Sequence, residues 1–519
     1  MSNGNQGQIN IINQGKQYSD IKFLHEEMIE LQLPFDQQNF LVRHRLSELD
    51  RMSIDDQERY INKLQVIKRL SVLEMDKKAI EYPEFKYKSL HNKIIDAYNC
   101  RIKGYKTIDF KGNTFSELND FIKDKDNVIV SICVDKIKLD QPLNMKSNII
   151  IDGNRSKITI HSKIEKAILF DNVKDAGIMN FVLNKTGDYA VFLNETNNIS
   201  IINCEITNEN KKGVALIGDN SNFLIYGNII SNNVDGGLFI NGKIHDGLIK
   251  KNVISYQLNS SNFSPGILLG AVEVKDNKTA YNKYEQRPIN ELTEAPHNMV
   301  IIDNQIFDNY AQGIYIHGGY NIYIVRNKIS NNHKEGVCLD FGTSYCYVSK
   351  NVFDYNGHRK DIIRPGTEYY RLPGISLDNA AYNLIYNNIF SNNSGSGIKA
   401  VRSSVANIVM CNTVTDNNIG QNEKAHFFGI ELSATLRPDI EGQIDLDFAP
   451  CYENIIASNI VWGSHYAGLF IGRDCYINDV FDNTIMGSIK YSIECKSEKL
   501  NNMINNNVDI NVQIAKSKN

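Results

Sequence analysis

The chain has 519 residues, with 56 Lys and Arg against 60 Asp and Glu, a formal net charge of −4. With an isoelectric point near 6.3, it has no electrostatic footprint for general nucleic-acid or anionic-membrane binding. Nine scattered cysteines without C-x-x-C spacing read as reduced thiols and favour a reducing compartment.

Met1 to Gln14 is mostly polar and lacks both a basic start and an apolar core segment. No run approaches the ~18 apolar residues of a membrane span. The expectation is a cytoplasmic protein, with secretion or a phage-particle origin not excluded. Residues 1–16 read as a disordered tail, and residues 17–105 as an α-helical domain. Asp20 to Leu33 forms a helix stopped by Pro34, and Asp36 to Met52 a second. Ser53 to Asp56 opens a third with a capping-type start, running to about Ile80. Phe85 to Arg101 is a fourth, with Leu90, Ile94, Ile95 and Tyr98 on one face. No chemical signature falls in this domain. Its expected roles are docking on the flank of the C-terminal domain, binding a partner, or making a homo-oligomer.

From residue 106 the pattern changes. Thr107 to Phe110 reads as a strand, 114–125 as an amphipathic helix, and Val128–Val134 and Ile137–Leu139 as strands. From about residue 146 one phrase recurs: a turn Gly, an alternating strand, then an Asn-flanked β segment. Gly213, Gly237, Gly313, Gly336, Gly374, Gly397, Gly429 and Gly468 each open such a strand. Uninterrupted neighbours lie 23 or 24 residues apart, as from 313 to 336 and from 374 to 397. A period in the ~20–50 window marks a stacked solenoid whose single repeats cannot bury their apolar faces alone. Two strands per coil and no helices point to a parallel β-helix. The Asn pairs at the coil corners, such as Asn331-Asn332 and Asn392-Asn393, read as a structural ladder rather than a sugar-binding strip.

The helix at 114–125, followed by Ser147 to Asn154 (Ser-Asn-Ile-Ile-Ile-Asp-Gly-Asn), resembles the opening of the pectate-lyase-like superfamily of right-handed parallel β-helices. The resemblance covers about residues 106–515. It implies a mainly β fold: a right-handed parallel β-helix solenoid over 106–519, capped by the 114–125 helix and preceded by the α-helical domain. That superfamily includes lyases, hydrolases, epimerases, phage tailspikes and binding modules, so the resemblance leaves the reaction open. The Asp-Pro-His-Asp motif of mannuronan epimerases and the Gly-His-Gly motif of polygalacturonases are missing, and the one Arg-Ile-Lys, at Arg101–Lys103, precedes the repeats.

Counting each turn Gly as zero, positions one and three are almost uniformly Val, Ile or Leu and point inward. Positions two and four therefore face out. Early coils are bland there, and middle coils are not. Position four becomes His317, Asp340 and Asp378 on successive coils. Position two becomes Tyr315, Cys338, Ser376, Lys399 and Glu431, while Arg402 and Arg473 follow one residue past position four. Strands stack about 4.8 Å apart, which places the Asp340 and Asp378 carboxyls at roughly the ~5 Å of a retaining glycosidase pair. Lys399 is expected to hold one carboxylate ionised or to bind an acidic sugar. His317 is a candidate acid or base, and Glu431 an alternative acid.

Insertions cluster around these coils: Asp276–Pro296, His358–Pro373, Gly420–Phe428 and Ala434–Cys451. They carry Tyr370, Arg371 and His426, candidate saccharide contacts on loops over a rigid scaffold. No Walker loop, dinucleotide fingerprint or zinc spacing occurs, so no cofactor or metal is called for. The expected partner is a carbohydrate, acidic or neutral, in a groove on the solenoid, and the Asp pair favours hydrolysis of a glycosidic bond. A uronate lyase or C5-epimerase using Lys399 or His317 as base is the alternative. A non-catalytic carbohydrate-binding scaffold is the other, and a phage tailspike a third.

Overall fold

Alternating apolar residues fold each coil into three short strands, such as Ile314–His317, Tyr320–Val325 and Lys328–Ser330. Each strand pairs in parallel with its counterpart one coil on, which gives sheets of 13, 15 and 14 strands. The result is a right-handed parallel β-solenoid of about 13 turns. The computed structural model describes residues 82–510 apart from 161–163, 185, 208–210, 259–263, 271–294, 341, 359–371, 403, 418–426, 435–449, 464, 474 and 497–501. The polar tail and the helices expected between residues 17 and 80 lie outside the described residues, as does the homo-oligomer surface expected there. The described residues from Tyr87 on belong to one compact unit.

The third strand per coil differs from the two expected. Lys328–Ser330 is only three residues long, with Ile329 as its single core residue, too short to show alternation in the sequence. In the 13-stranded sheet the alternation appears as read. Ile314, Ile316, Val337, Leu339, Ile375 and Leu377 are fully buried in one continuous core, each contributing about 1.5–3 kcal/mol by burial. Phe353 and Phe390 stack inside it with ring centroids 4.5 Å apart. The Gly at position zero is required by close approach: a Cβ at Gly313 would lie 2.7 Å from the Gly336 carbonyl oxygen, and one at Gly336 2.8 Å from that of Gly374.

Two helices are described. Thr114 caps Phe115–Ile122 in a reciprocal capping box with Glu117, and Phe115, Leu118 and Ile122 cover the first coils. A second helix spans residues 82–104. From Tyr87 onward it lies on the outer face of the 15-stranded sheet, where Tyr87, Leu90, Ile94, Ile95 and Tyr98 meet Leu248, Val300 and Tyr347. Arg101 anchors it by donating to Ser200 Oγ at 2.8 Å and to the carbonyls of Ala176 and Asn198. No described helix is long and apolar enough to cross a membrane.

The corner asparagines form buried ladders. Asn351 Nδ2 donates to Asn388 Oδ1 at 3.0 Å and to the Ile324 carbonyl at 2.9 Å, while its own Oδ1 accepts from the Asn327 backbone N–H at 2.8 Å. The same pattern runs from Asn228 through Asn252, Asn304, Asn327, Asn351, Asn388, Asn412, Asn459 and Asn483 to Asn507. A second ladder passes from Asn309 to Asn417 and ends on a histidine, His465, whose Nε2 accepts from the Asn417 N–H at 3.2 Å.

His465 is fully buried, and burial pushes its imidazole down from 6.5 to about 4. The unfolded chain protonates this group near 6.5 and the folded chain only near 4. Stability from His465 is therefore complete above the higher value and falls as pH drops between the two, by about 3 kcal/mol in all. His465→Asn restores the usual ladder residue and is expected to remove that part of the acid loss. Urea midpoints at pH 7 and 4.5 measure it, and an unchanged acid loss in the variant contradicts the assignment.

Candidate active site

The outer face of the 13-stranded sheet carries the predicted columns in register. His317 pairs with Asp340 and Asp340 with Asp378. Tyr315, Cys338, Ser376, Lys399 and Glu431 follow one another across the same strands. Strand pairing sets each pair of neighbours about 4.8 Å apart at the backbone. Asp340 and Asp378 thus stand on adjacent rungs of one wall, on the opposite face from the core leucines Leu339 and Leu377.

The side chains divide into three groups. In the first, the Tyr315 hydroxyl donates to Asp340 Oδ2 at 2.7 Å and lies 3.1 Å from His317 Nδ1. With the phenol proton on Asp340, the Tyr315 oxygen accepts from His317 Nδ1–H. A neutral His317 then carries its lone pair on Nε2. In the second, Arg402 grips Asp378 with a two-pronged fork, Nε to Oδ1 at 2.5 Å and a terminal nitrogen to Oδ2, which favours the ionised carboxylate. In the third, Lys399 Nζ lies 2.9 Å from Glu431 Oε1, and Ser396 Oγ donates to Glu431 Oε2 at 2.7 Å.

Two expectations need correction. The cation on Asp378 is Arg402 and not Lys399. Lys399 is in register with Ser376, so it stands in the position-two column and meets Glu431 directly beside it. Arg402, in the turn after its strand, curls back to the preceding coil with a left-handed backbone, φ 48°. The same turn position holds Gly318 and Asn379 on earlier coils, residues that tolerate this conformation. The second correction concerns access. The pair was expected in an open trough, yet Asp340 is 8% and Asp378 5% exposed, and Glu431 is also buried. Strand alternation dictates which face a side chain takes and is silent on what lies over that face.

Arg473 lies two coils beyond Arg402 and is exposed, apart from the three groups. Tyr370, Arg371 and His426 lie outside the described residues. Sequence reading passed over one carboxyl. Glu335 sits just before Gly336, outside the strand alternation, and is buried. Burial first, and Asp378 among its neighbours, push its carboxyl above the ordinary range. The visible signal is a pair of polar residues one place before the turn Gly on successive coils, Gln312 and Glu335, followed by Pro373 on the next coil. Cys338 lies between Glu335 and Asp340 on this strand, and burial drives its thiol well up, with Glu335, Asp340 and Asp378 adding to the effect.

A parallel β-helix with a polar wall on one sheet is the class that fold and site define together. The family model described as "Right handed beta helix region" matches residues 166–353 and 270–443, more than half of the chain, and the protein belongs to that family. No curated protein sequence matches it. Among solved structures it is similar to the A-module of mannuronan C-5 epimerase AlgE6 from Azotobacter vinelandii. That match is 11% identical with a TM-score of 0.51, covering 79% of this chain and 98% of that one. The tailspike protein of E. coli bacteriophage HK620 is 12% identical with a TM-score of 0.45, covering 73% of each chain. Pectate lyase Bsp165PelA from Bacillus sp. N165 is 11% identical with a TM-score of 0.32, covering 54% of this chain and 82% of that one. At these identities the likeness extends to the fold alone.

Proposed function

We propose that the protein is a glycan-active enzyme that hydrolyses a glycosidic bond at the Asp340–Asp378 pair. The observation that carries this reading is that two carboxyls on adjacent rungs have unlike surroundings: a cationic guanidinium fork on Asp378 and a neutral phenol on Asp340. Unlike environments separate the roles of paired carboxyls. Asp378, held ionised, attacks the anomeric carbon. Asp340 gives its proton to the leaving oxygen, then takes one from the water that releases the sugar. Tyr315 and His317 hold and exchange protons with Asp340. The mannuronan C-5 epimerase module has a similar fold, so glycan chemistry is known on such a scaffold.

Elimination or epimerisation needs a base. Lys399, 2.9 Å from Glu431 Oε1, and His317, in register with Asp340, are the two candidates for that role. One observation favours a non-catalytic, carbohydrate-binding scaffold instead: the low exposure of both carboxyls.

Incubation with neutral and acidic oligosaccharides tests these readings. Hydrolysis is expected to release new reducing ends with the anomeric configuration retained by NMR, and Asp340→Asn is expected to lower the rate by roughly 10³-fold. An ultraviolet-absorbing unsaturated product points to elimination. Binding without any turnover points to the scaffold.

A further inference from the structure

The outer face of the 14-stranded sheet changes character toward its C-terminal end. The strands there are three residues long, and their middle residues Phe390, Val414, Val461 and Ile485 are buried in the core. The first and third residues of each strand therefore face out. On three earlier coils these are Gln305 and Phe307, Lys328 and Ser330, then Val352 and Asp354. The next five coils carry no charge at the first place: Ile389, Thr413, Ile460, Thr484 and Val508. The third place on the first four of them holds Ser391, Thr415, Trp462 and Met486, again uncharged.

Ile389, Ile460, Trp462 and Val508 are 46%, 46%, 45% and 52% exposed, and Trp462 is the only tryptophan of the chain. A single apolar residue at a surface needs no explanation, whereas a contiguous uncharged patch marks a contact site. Tryptophan and methionine are enriched, and charge is depleted, at the centre of protein interfaces. The patch is also symmetric. Ile460 and Trp462 stand on the third of the five coils, Thr413 and Thr484 on the second and fourth, and the β-branched Ile389 and Val508 on the first and fifth. A two-fold axis along the middle strand, between two such faces, sets Ile460 and Trp462 each against itself in a second copy. The same axis sets Ile389 against Val508 and Thr413 against Thr484. The acidic corner residues avoid one another, because Asp416 then meets Gly487 and Asp482 meets Cys411.

We propose that this face is a homodimer interface, in which two chains pack sheet on sheet with antiparallel solenoid axes about a two-fold axis at Trp462. Five coils at about 4.8 Å and three residues at about 3.3 Å give roughly 250 Å² of flat face. That is about a third of the ~800 Å² that each partner gives to a standard interface. Corner side chains widen the contact, and the dimer is a weak one, with a dissociation constant on the order of 10 μM. The interface uses a different sheet from Asp340 and Asp378, so it is independent of the proposed glycan chemistry.

Sedimentation equilibrium of the full chain, over concentrations that bracket this constant, tests the proposal, with fluorescence of Trp462 read over the same range. Wild type is expected to pass from monomer to dimer, and the emission to move to the blue as the dimer forms. Ile460→Lys sets two ammonium groups face to face and is expected to weaken the dimer by at least about 100-fold. Two double variants read the register. Thr413→Lys with Thr484→Glu pairs each new lysine with the new glutamate of the second copy, and is expected to dimerise at least as well as wild type. Thr413→Lys with Thr484→Lys places like charges opposite each other and is expected to stay monomeric. The proposal is overturned if wild type is monomeric throughout, if Ile460→Lys dimerises as wild type does, or if the two double variants associate equally. It is also overturned if cellotetraose or tetragalacturonate shifts the Trp462 emission of a protein that stays monomeric, which would make the face a glycan platform.

Discussion

Asp378→Ala is expected to lower turnover by at least roughly 10³-fold and to destabilise the folded protein by about 3–5 kcal/mol. The Arg402 and Asp378 side chains are only 14% and 7% exposed, so removing the carboxylate leaves a guanidinium shut away from water without its partner. The left-handed backbone at Arg402 itself costs on the order of 1 kcal/mol for a residue that carries a Cβ. Arg402→Gly relieves that strain but strands Asp378. Arg402→Gly combined with Asp378→Ala removes both charges and is expected to be markedly less harmful than the two single losses added together. Urea denaturation of the four proteins in a double-mutant cycle measures the coupling. Additive losses would show that the fork contributes nothing of its own.

Asn388→Leu is expected to be similarly damaging, at about 4 kcal/mol or more, although it lies away from the site. Asn388 Oδ1 accepts from both the backbone N–H and the side chain of Asn351, at 2.9 and 3.0 Å. Its Nδ2 donates to the Val348 carbonyl at 2.9 Å and to Asn412 Oδ1 at 3.0 Å. A leucine fills similar space and leaves several buried groups unmet. Asn507 ends the same ladder: its Oδ1 accepts from the Asn483 backbone N–H and side chain, its Nδ2 donates to the Val480 carbonyl at 3.0 Å, and it is half-buried. Asn507→Leu is expected to cost about 1 kcal/mol. Equal shifts in urea midpoint for the two variants would mean that ladder position is irrelevant.

Much of the scaffold was legible because the solenoid repeats its instructions. The Gly at each strand start and the alternating Val, Ile and Leu located the 13-stranded sheet and placed Asp340 beside Asp378. The Asn corners announced the ladders. What escaped did so for physical reasons. Three-residue strands carry a single inward side chain and no period. Partner choice among Lys399, Arg402, Asp378 and Glu431 depends on side-chain direction, and a turn residue such as Arg402 reaches backwards where alternation has nothing to say. Glu335 and Gln312 precede the strand and fall outside its in–out rule. His465 replaces an Asn just after an insertion, where the repeat length no longer flags the position. The burial of Asp340 and Asp378 is a property of what lies over the sheet, and facing alone does not reveal it.

The ladder bonds are indifferent to how much chain separates their members. Asn388 to Asn412 spans 24 residues and Asn412 to Asn459 spans 47, yet both bonds are 3.0 Å long. Coil closure and loop length are thus separate variables in this molecule. A foreign segment transplanted between Asn412 and Asn459 should retune which ligand is accepted and leave the pitch of the rod unaltered. Loops here behave as exchangeable attachments on a fixed rail.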